Sequence, residues 1–203
     1  MGSGGGGTGE PPVDVARLHG HTRRLVLRPY RPDDVDALAA IYATPESVRF
    51  VPFPVLEGES LARAIINRTA HAFEKENDRL SFVAQDRAGG GMVGEFALFK
   101  RGLESRTAEF GYAIHPGWSG RGLATEGSWA IMELAFQVLG VRRLTADIDP
   151  RNAASAAILA KLGMRREAHF VQSVWEKGAL VDQVVYAMLA HEWPGTSGVA
   201  WRF

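Results

Sequence analysis

The chain contains no cysteine, which excludes a disulfide framework, a thiol nucleophile and a Cys-based metal site. It also lacks an excess of either charge. Lys and Arg together number 23, as do Asp and Glu, so no global field draws in nucleic acid or an anionic membrane surface. The pairs Arg23-Arg24, Arg142-Arg143 and Arg165-Arg166 read as solvated strand ends. No uninterrupted apolar run approaches the roughly 20 residues of a membrane-spanning helix, and the N-terminus has no signal-peptide core. These absences predict a soluble, cytoplasmic protein without nucleic-acid or membrane partners. The six histidines show no metal-ligand spacing, so no metal is expected. What the chain does have is 203 residues, 46% of them hydrophobic, which suits one domain with a substantial core.

Residues 1–20 are expected to be a disordered, Gly-rich N-terminal segment. Met1 to Glu10 is almost entirely Gly with Ser and Thr, cannot bury apolar surface and is expected to be disordered. The folded domain is predicted over 21–192, followed by a tail, 193–203, outside it. Arg24 to Arg28 alternates like a strand. Asp33 and Asp34 then open a helix whose apolar face is Val35, Leu38, Ala39 and Tyr42. Thr44 to Pro54 is an apolar loop with three prolines, either a lid over a pocket or packed edge structure. A second amphipathic helix is predicted from Gly58 to Asn77 on Leu61, Ile65, Ala72 and Phe73. Strands follow at 79–86 and 92–99, joined by a turn at Gly89-Gly90-Gly91, and at 106–115. Later come a strand at 143–149, a helix at 153–162 closed by Gly163, and two long strands, 164–175 and 180–189, around Lys177-Gly178. An exposed strand edge at 180–189 would invite pairing with a second copy, making a homodimer an admissible state.

The stretch from Phe110 to Leu139 organises the rest. Phe110, Tyr112 and Ile114 alternate with small residues as in a half-buried strand, while Leu123, Gly127, Ala130, Ile131, Leu134 and Val138 recur at helical steps. Between them Gly117, Gly120 and Gly122 let main-chain N–H groups approach a ligand at a helix N-terminus, a seat for phosphate oxygens. A P-loop is excluded because Gly122 is followed by Leu123 and Ala124. A dinucleotide fingerprint is excluded because Thr125 stands at its third glycine.

The remaining run, Ser119-Gly120-Arg121-Gly122-Leu123-Ala124 followed by Thr125-Glu126, resembles the acetyl-CoA pyrophosphate loop of the GNAT acetyltransferase superfamily. Ser119 stands where that loop usually has Gln or Arg. The wider run HPGWSGRGLATEG is similar to the ribosomal-protein-alanine N-acetyltransferase branch. A second signature, Asn152-Ala153-Ala154-Ser155 opening a helix that ends Leu162-Gly163-Met164, matches at every position. The resemblance implies an α/β fold with a mixed, mostly antiparallel central sheet of about seven strands, splayed in the middle, with helices on both faces. It implies acetyl-CoA as co-substrate, its pantetheine arm lying along the strand that ends at Ile114 and its pyrophosphate held by residues 119 to 125. The acceptor it implies is an amine, whether a protein N-terminus or a small molecule.

Transfer of an acetyl group to an amine needs a neutral amine, a stabilised thioester oxygen and a protonated leaving thiolate. Glu109 is the leading base, since it shares its strand face with Gly111 and Ala113, which leave it space; a structural salt bridge is the competing reading. Ser155 is the candidate acid, with Tyr112 or Tyr186 as substitutes. Asn152 would hydrogen-bond the cofactor arm, or serve as an ordinary helix cap. Arg121 could add a charge-assisted phosphate contact, or face solvent. His115 lines the site or caps the strand end, and Trp118 packs. The competing class is a non-catalytic acyl-CoA-binding module.

Overall fold

The computed structural model of the protein describes residues 14–55, 60–67, 69, 72–195 and 198–202. The Gly-rich stretch Met1–Glu10 lies outside the described residues, as does Gly58, the expected start of the second helix. The elements in chain order are β1 (His19–His21), β2 (Leu25–Pro29), α1 (Val35–Ile41), α2 (Ser60–Asn67), β3 (Arg79–Asp86), β4 (Met92–Gly102), β5 (Thr107–Ile114), α3 (Leu123–Glu133), β6 (Arg143–Ile148), α4 (Ala153–Lys161), β7 (Arg165–Glu176), β8 (Ala179–Leu189) and β9 (Ala200–Arg202). Nine strands form one sheet in the order β7-β8-β6-β5-β4-β3-β2-β1-β9, and only β5 and β6 run parallel.

Strand alternation assigns the two faces. Leu80 and Phe82 of β3, Phe96 and Leu98 of β4 and Phe110 of β5 pack with Ile131 and Leu134 of the α3 segment into the larger core. Gly127 lets this helix settle on the sheet, because a Cβ there would lie 2.1 Å from Phe96 Cζ. The opposite face, which carries Glu95, Glu109 and Ala113, is covered by Val35, Leu38 and Ile41 of α1 with Ala62 and Ile65 of α2. Burial of these side chains contributes about 1.5–3 kcal/mol each, which is what holds two short helices that would not persist alone.

The feature that positions the site is a break in pairing. β5 and β6 share three rungs, Thr107 with Arg143, Ala108 with Leu144 and Glu109 with Thr145. Beyond them β4 follows β5 as far as Ile114, while β8 follows β6 as far as Ile148. The sheet therefore opens as a wedge past Glu109, and residues 110 to 114 have no strand on their β6 side among the described residues.

Four expectations change. The predicted second helix ends at Asn67, and residues 72–78 form bends and turns instead of its last turns. The tail joins the fold: β9 pairs with β1, Trp193 stacks on Trp129 at 4.8 Å, and Trp201 Nε1 donates to the Ala130 carbonyl at 2.9 Å. Burial of indole area outweighs the Pro and Gly that suggested a loose end. β1 also places residues 19 and 20, expected in the disordered segment, within the sheet. Finally β8 is interior, lying between β6 and β7, so the outer edge belongs to β7 and not to residues 180–189. No helix among the described residues is long and apolar enough to cross a membrane.

Candidate active site

The loop between β5 and α3 begins with a short 3-10 turn, Pro116–Trp118, capped by His115, whose Nδ1 accepts from the Gly117 amide at 3.1 Å. His115 is thus a cap. Gly120 and Gly122 follow with φ of +75° and +74°, the left-handed region that side-chain-bearing residues enter at a cost of about 1–2 kcal/mol. Gly122 is the N-cap of α3, and the first helical bond runs from the Glu126 amide to the Gly122 carbonyl at 3.1 Å. The amides of residues 120 to 125 therefore have no acceptor among the described residues and point out of the helix start. The Ser119 amide is not part of this set, since it donates to the Pro116 carbonyl at 3.2 Å.

A clamp beneath the loop fixes its shape. Glu126 accepts from Thr22 Oγ1 at 2.6 Å, from the Arg24 amide at 2.8 Å and from Arg24 Nε at 2.6 Å, and Arg24 Nη1 reaches the Arg121 carbonyl at 2.9 Å. Burial alone would raise the Glu126 carboxyl, but the bonds from Thr22 and Arg24 outweigh it and hold it below the usual range. Arg121 itself lies over the Trp118 ring at 5.0 Å. That stacking accounts for its side chain without a phosphate contact.

Residues on both sides of the wedge line a cavity of about 450 Å³. Glu109 and Tyr112 stand on opposite faces of β5 by alternation, yet both line it, because the open seam lets the two faces communicate. On one side Tyr112 Oη donates to Ser155 Oγ at 3.1 Å, and Asn152 caps α4 by accepting from the Ser155 amide at 3.1 Å. Burial raises the Tyr112 phenol, a shift the Ser155 bond partly offsets, so the phenol keeps its proton at neutral pH. On the other side Glu109, 21% exposed, accepts from Arg101 Nε at 2.8 Å. Asp147 of β6 accepts from Gln183 Nε2 at 3.1 Å. Desolvation by the surrounding protein, reinforced by the charge of Glu109 and eased by Arg101, pushes the Asp147 carboxyl up to about 6 although the residue stays exposed at its surface. Deeper in, Glu95 is 5% exposed and accepts from the Tyr30 and Tyr42 hydroxyls and from Arg79 Nη2 at 3.4 Å. Both phenols are pushed well up, first by burial and then by Glu95.

Residues 50 to 53 roof this cavity, and Lys177 at the β7–β8 turn donates to the Val48 and Arg49 carbonyls at 2.8 and 2.9 Å. The loop at 44–54 is therefore both things expected of it, a cover over the cavity tied to the far hairpin and a segment packed into the smaller core through Val48, Val51 and Phe53.

The described residues thus bring together a helix start with free amides, an open seam and a cavity reached from both sheet faces. The sequence profile of the acetyltransferase (GNAT) domain matches residues 24–165. The chain belongs to the GNAT acetyltransferase family. This acetyltransferase is 27% identical over 176 residues to the uncharacterized N-acetyltransferase YnaD of Bacillus subtilis (strain 168), covering 87% of this chain and 99% of that one. It is 28% identical over 194 residues to the [ribosomal protein uS5]-alanine N-acetyltransferase of Escherichia coli (strain K12), covering 90% and 96%. Its fold matches the spermidine N-acetyltransferase of Vibrio cholerae in complex with CoA and spermine with a TM-score of 0.72, at 19% identity, covering 83% of this chain and 96% of that one.

For the acetyltransferase the expected mixed GNAT sheet is present, with nine strands rather than about seven. Of the residues singled out from sequence, Glu109, Asn152 and Ser155 line the cavity, Ile114 ends β5, and residues 119–125 run from the loop into the first turn of α3. Tyr186 is not among the lining residues, whereas Tyr112 reaches Ser155. Sequence reasoning missed Glu95, Asp147, the Lys177 latch and the Arg24–Glu126 clamp. An acid in the middle of the apolar run Met92–Phe99 was a visible signal for Glu95. Asp147, alternating against Leu144, Ala146 and Ile148, was another.

Proposed function

We propose that this acetyltransferase transfers the acetyl group of acetyl-CoA directly to a primary amine, a protein N-terminus or a small molecule, within a ternary complex. The observation that carries this is the open seam between β5 and β6, which puts groups from both sheet faces into one cavity beside the strand that leads into the loop with the free amides. The residues present fit the cofactor: the amides of 120 to 125 would receive its pyrophosphate, and the unpaired edge of residues 110 to 114 would pair with the amides of its pantetheine arm. Asn152, whose Oδ1 is engaged as a cap, has its side-chain NH₂ left to donate to that arm. Bound there, acetyl-CoA supplies an acyl carbon activated as a thioester.

Tyr112 and Ser155 protonate the departing sulfur. Ser155 Oγ receives the Tyr112 hydrogen bond, so its own proton is free to point into the cavity. On the acceptor side the amine sheds its proton to the carboxylates at the cavity mouth, of which Glu109 stands at the apex of the wedge. With no cysteine in the chain, direct attack by the amine is the simplest route. Thiol release from acetyl-CoA, measured with a panel of amines and amino-terminal peptides that includes spermidine and an Ala-initiated peptide, tests the reading. Acceptor-dependent release supports it. Tight acetyl-CoA binding with no release for any acceptor would instead leave a binding module.

A further inference from the structure

The acceptor side holds two carboxylates, and their surroundings differ. Glu109 sits on the last rung shared by β5 and β6, and its Oε2 is engaged by the Arg101 guanidinium at 2.8 Å. Asp147 lies two residues further along β6 than Thr145, the partner of Glu109, and so on the same sheet face but on the free side of the seam. Gly111, at the matching level of β5, has no side chain to fill the gap between them. Asp147 accepts only from the neutral Gln183 amide and has no cationic partner among the described residues.

We propose that Asp147 is the group that takes the acceptor's proton, and that Glu109, tied to Arg101, is a positioning residue that acts through it. This rests on the acetyl-transfer reading above. The charged groups around Asp147 favour it. Glu109 from β5 and Arg101 from β4 face it across the seam. Asp149 beyond it on the same segment is closed by Arg151, and Asp182 of β8 is bound to His169 of β7. Glu95 is held by Arg79, Tyr30 and Tyr42. Desolvation by the cavity wall on one side of an otherwise exposed carboxylate, and then the negative charge of Glu109, raise the proton affinity of Asp147 toward the range where a general base is both ionised and effective.

An ammonium acceptor loses two protons as it gains the acetyl group. Asp147 takes the first, freeing the nitrogen lone pair; the C–N bond forms and the C–S bond breaks. The second N–H proton passes to water, and the sulfur receives one proton from Ser155, restored through Tyr112 from solvent. One proton is released overall.

The sign of the pH dependence follows from the neighbours. Asp147 works ionised, so turnover falls as pH drops through its titration. Removing the charge of Glu109 moves that acid limb to lower pH, and removing the charge of Arg101 moves it to higher pH. Two measurements test this. Carbon-13 carboxyl NMR of the free protein needs no acceptor; the Asp147 signal is expected to titrate at about 6, lower in Glu109→Gln and higher in Arg101→Gln. Turnover with acetyl-CoA and the best acceptor of the panel should show an acid limb that moves in the same two directions. Asp147→Asn should lose that limb and about 100-fold of turnover while binding CoA within about twofold of the parent. Asp147→Asn turning over within about threefold of the parent overturns the proposal, and so does Glu109→Gln losing the limb entirely. An Asp147 that titrates in the ordinary carboxylate range and ignores both substitutions overturns it as well. Calorimetry of the parent with CoA separates the two levels: absence of binding brings down the acetyl-transfer reading itself.

Discussion

The two ends of the wedge are built from different materials. The proposed cofactor end is main chain: two glycines with positive φ, with six amides and a strand edge that have no partner among the described residues, all within residues 110 to 126. The acceptor end is side chain, drawn from β4, β5, β6, the lid at 44–54 and the β7–β8 hairpin. Donors fixed in the backbone recognise a feature common to a whole class of ligand. A wall of side chains contributed by separate elements can change one residue at a time, and on the proposed reading this is where choice of acceptor would reside. The difference also separates binding from chemistry, since the seat can be damaged without touching the proton donors, and the reverse.

The sharpest way to break this comparison is Ser155→Ala. It removes the proton donor to the sulfur and leaves every amide of the seat in place, so turnover should fall by about 100-fold while CoA affinity, read by calorimetry, stays within about twofold. Gly122→Val acts in the opposite sense. A β-branched residue at φ +74° costs about 1–2 kcal/mol of backbone strain, so CoA should bind about tenfold more weakly, with turnover at saturating cofactor less affected. Lys177→Met is the mildest. It frees the Val48 and Arg49 carbonyls from the hairpin and should raise the acceptor KM about threefold, a change of under 1 kcal/mol, with CoA affinity unmoved.

This division also explains what was legible in the amino-acid sequence. Gly120, Gly122, Asn152 and Ser155 could be read because a backbone motif is local, with its residues lying within a few positions of one another. The wedge itself left no trace in periodicity and was expected only from family resemblance, because residues 110 to 114 alternate alike whether or not a strand lies beside them. Glu95 and Asp147 were missed since each sits on its own strand and only the sheet order brings them to Glu109. Ser119 and Arg121 illustrate a different limit. The Ser119 amide closes a 3-10 turn and the Arg121 side chain lies on Trp118, neighbours that spacing cannot weigh. The tail was judged on Pro194, Gly195 and Gly198, whereas Trp193 and Trp201 decided its fate by packing against the α3 segment.

The central claim is that the amides of residues 120 to 125 and the open edge of β5 hold coenzyme A. Nitrogen-15 amide spectra of the protein titrated with CoA test it most directly. The account predicts the largest shifts at residues 120 to 125 and 111 to 114, with the buried strand β3 quiet. Saturable binding that leaves those amides unmoved, with shifts gathered elsewhere, would contradict it.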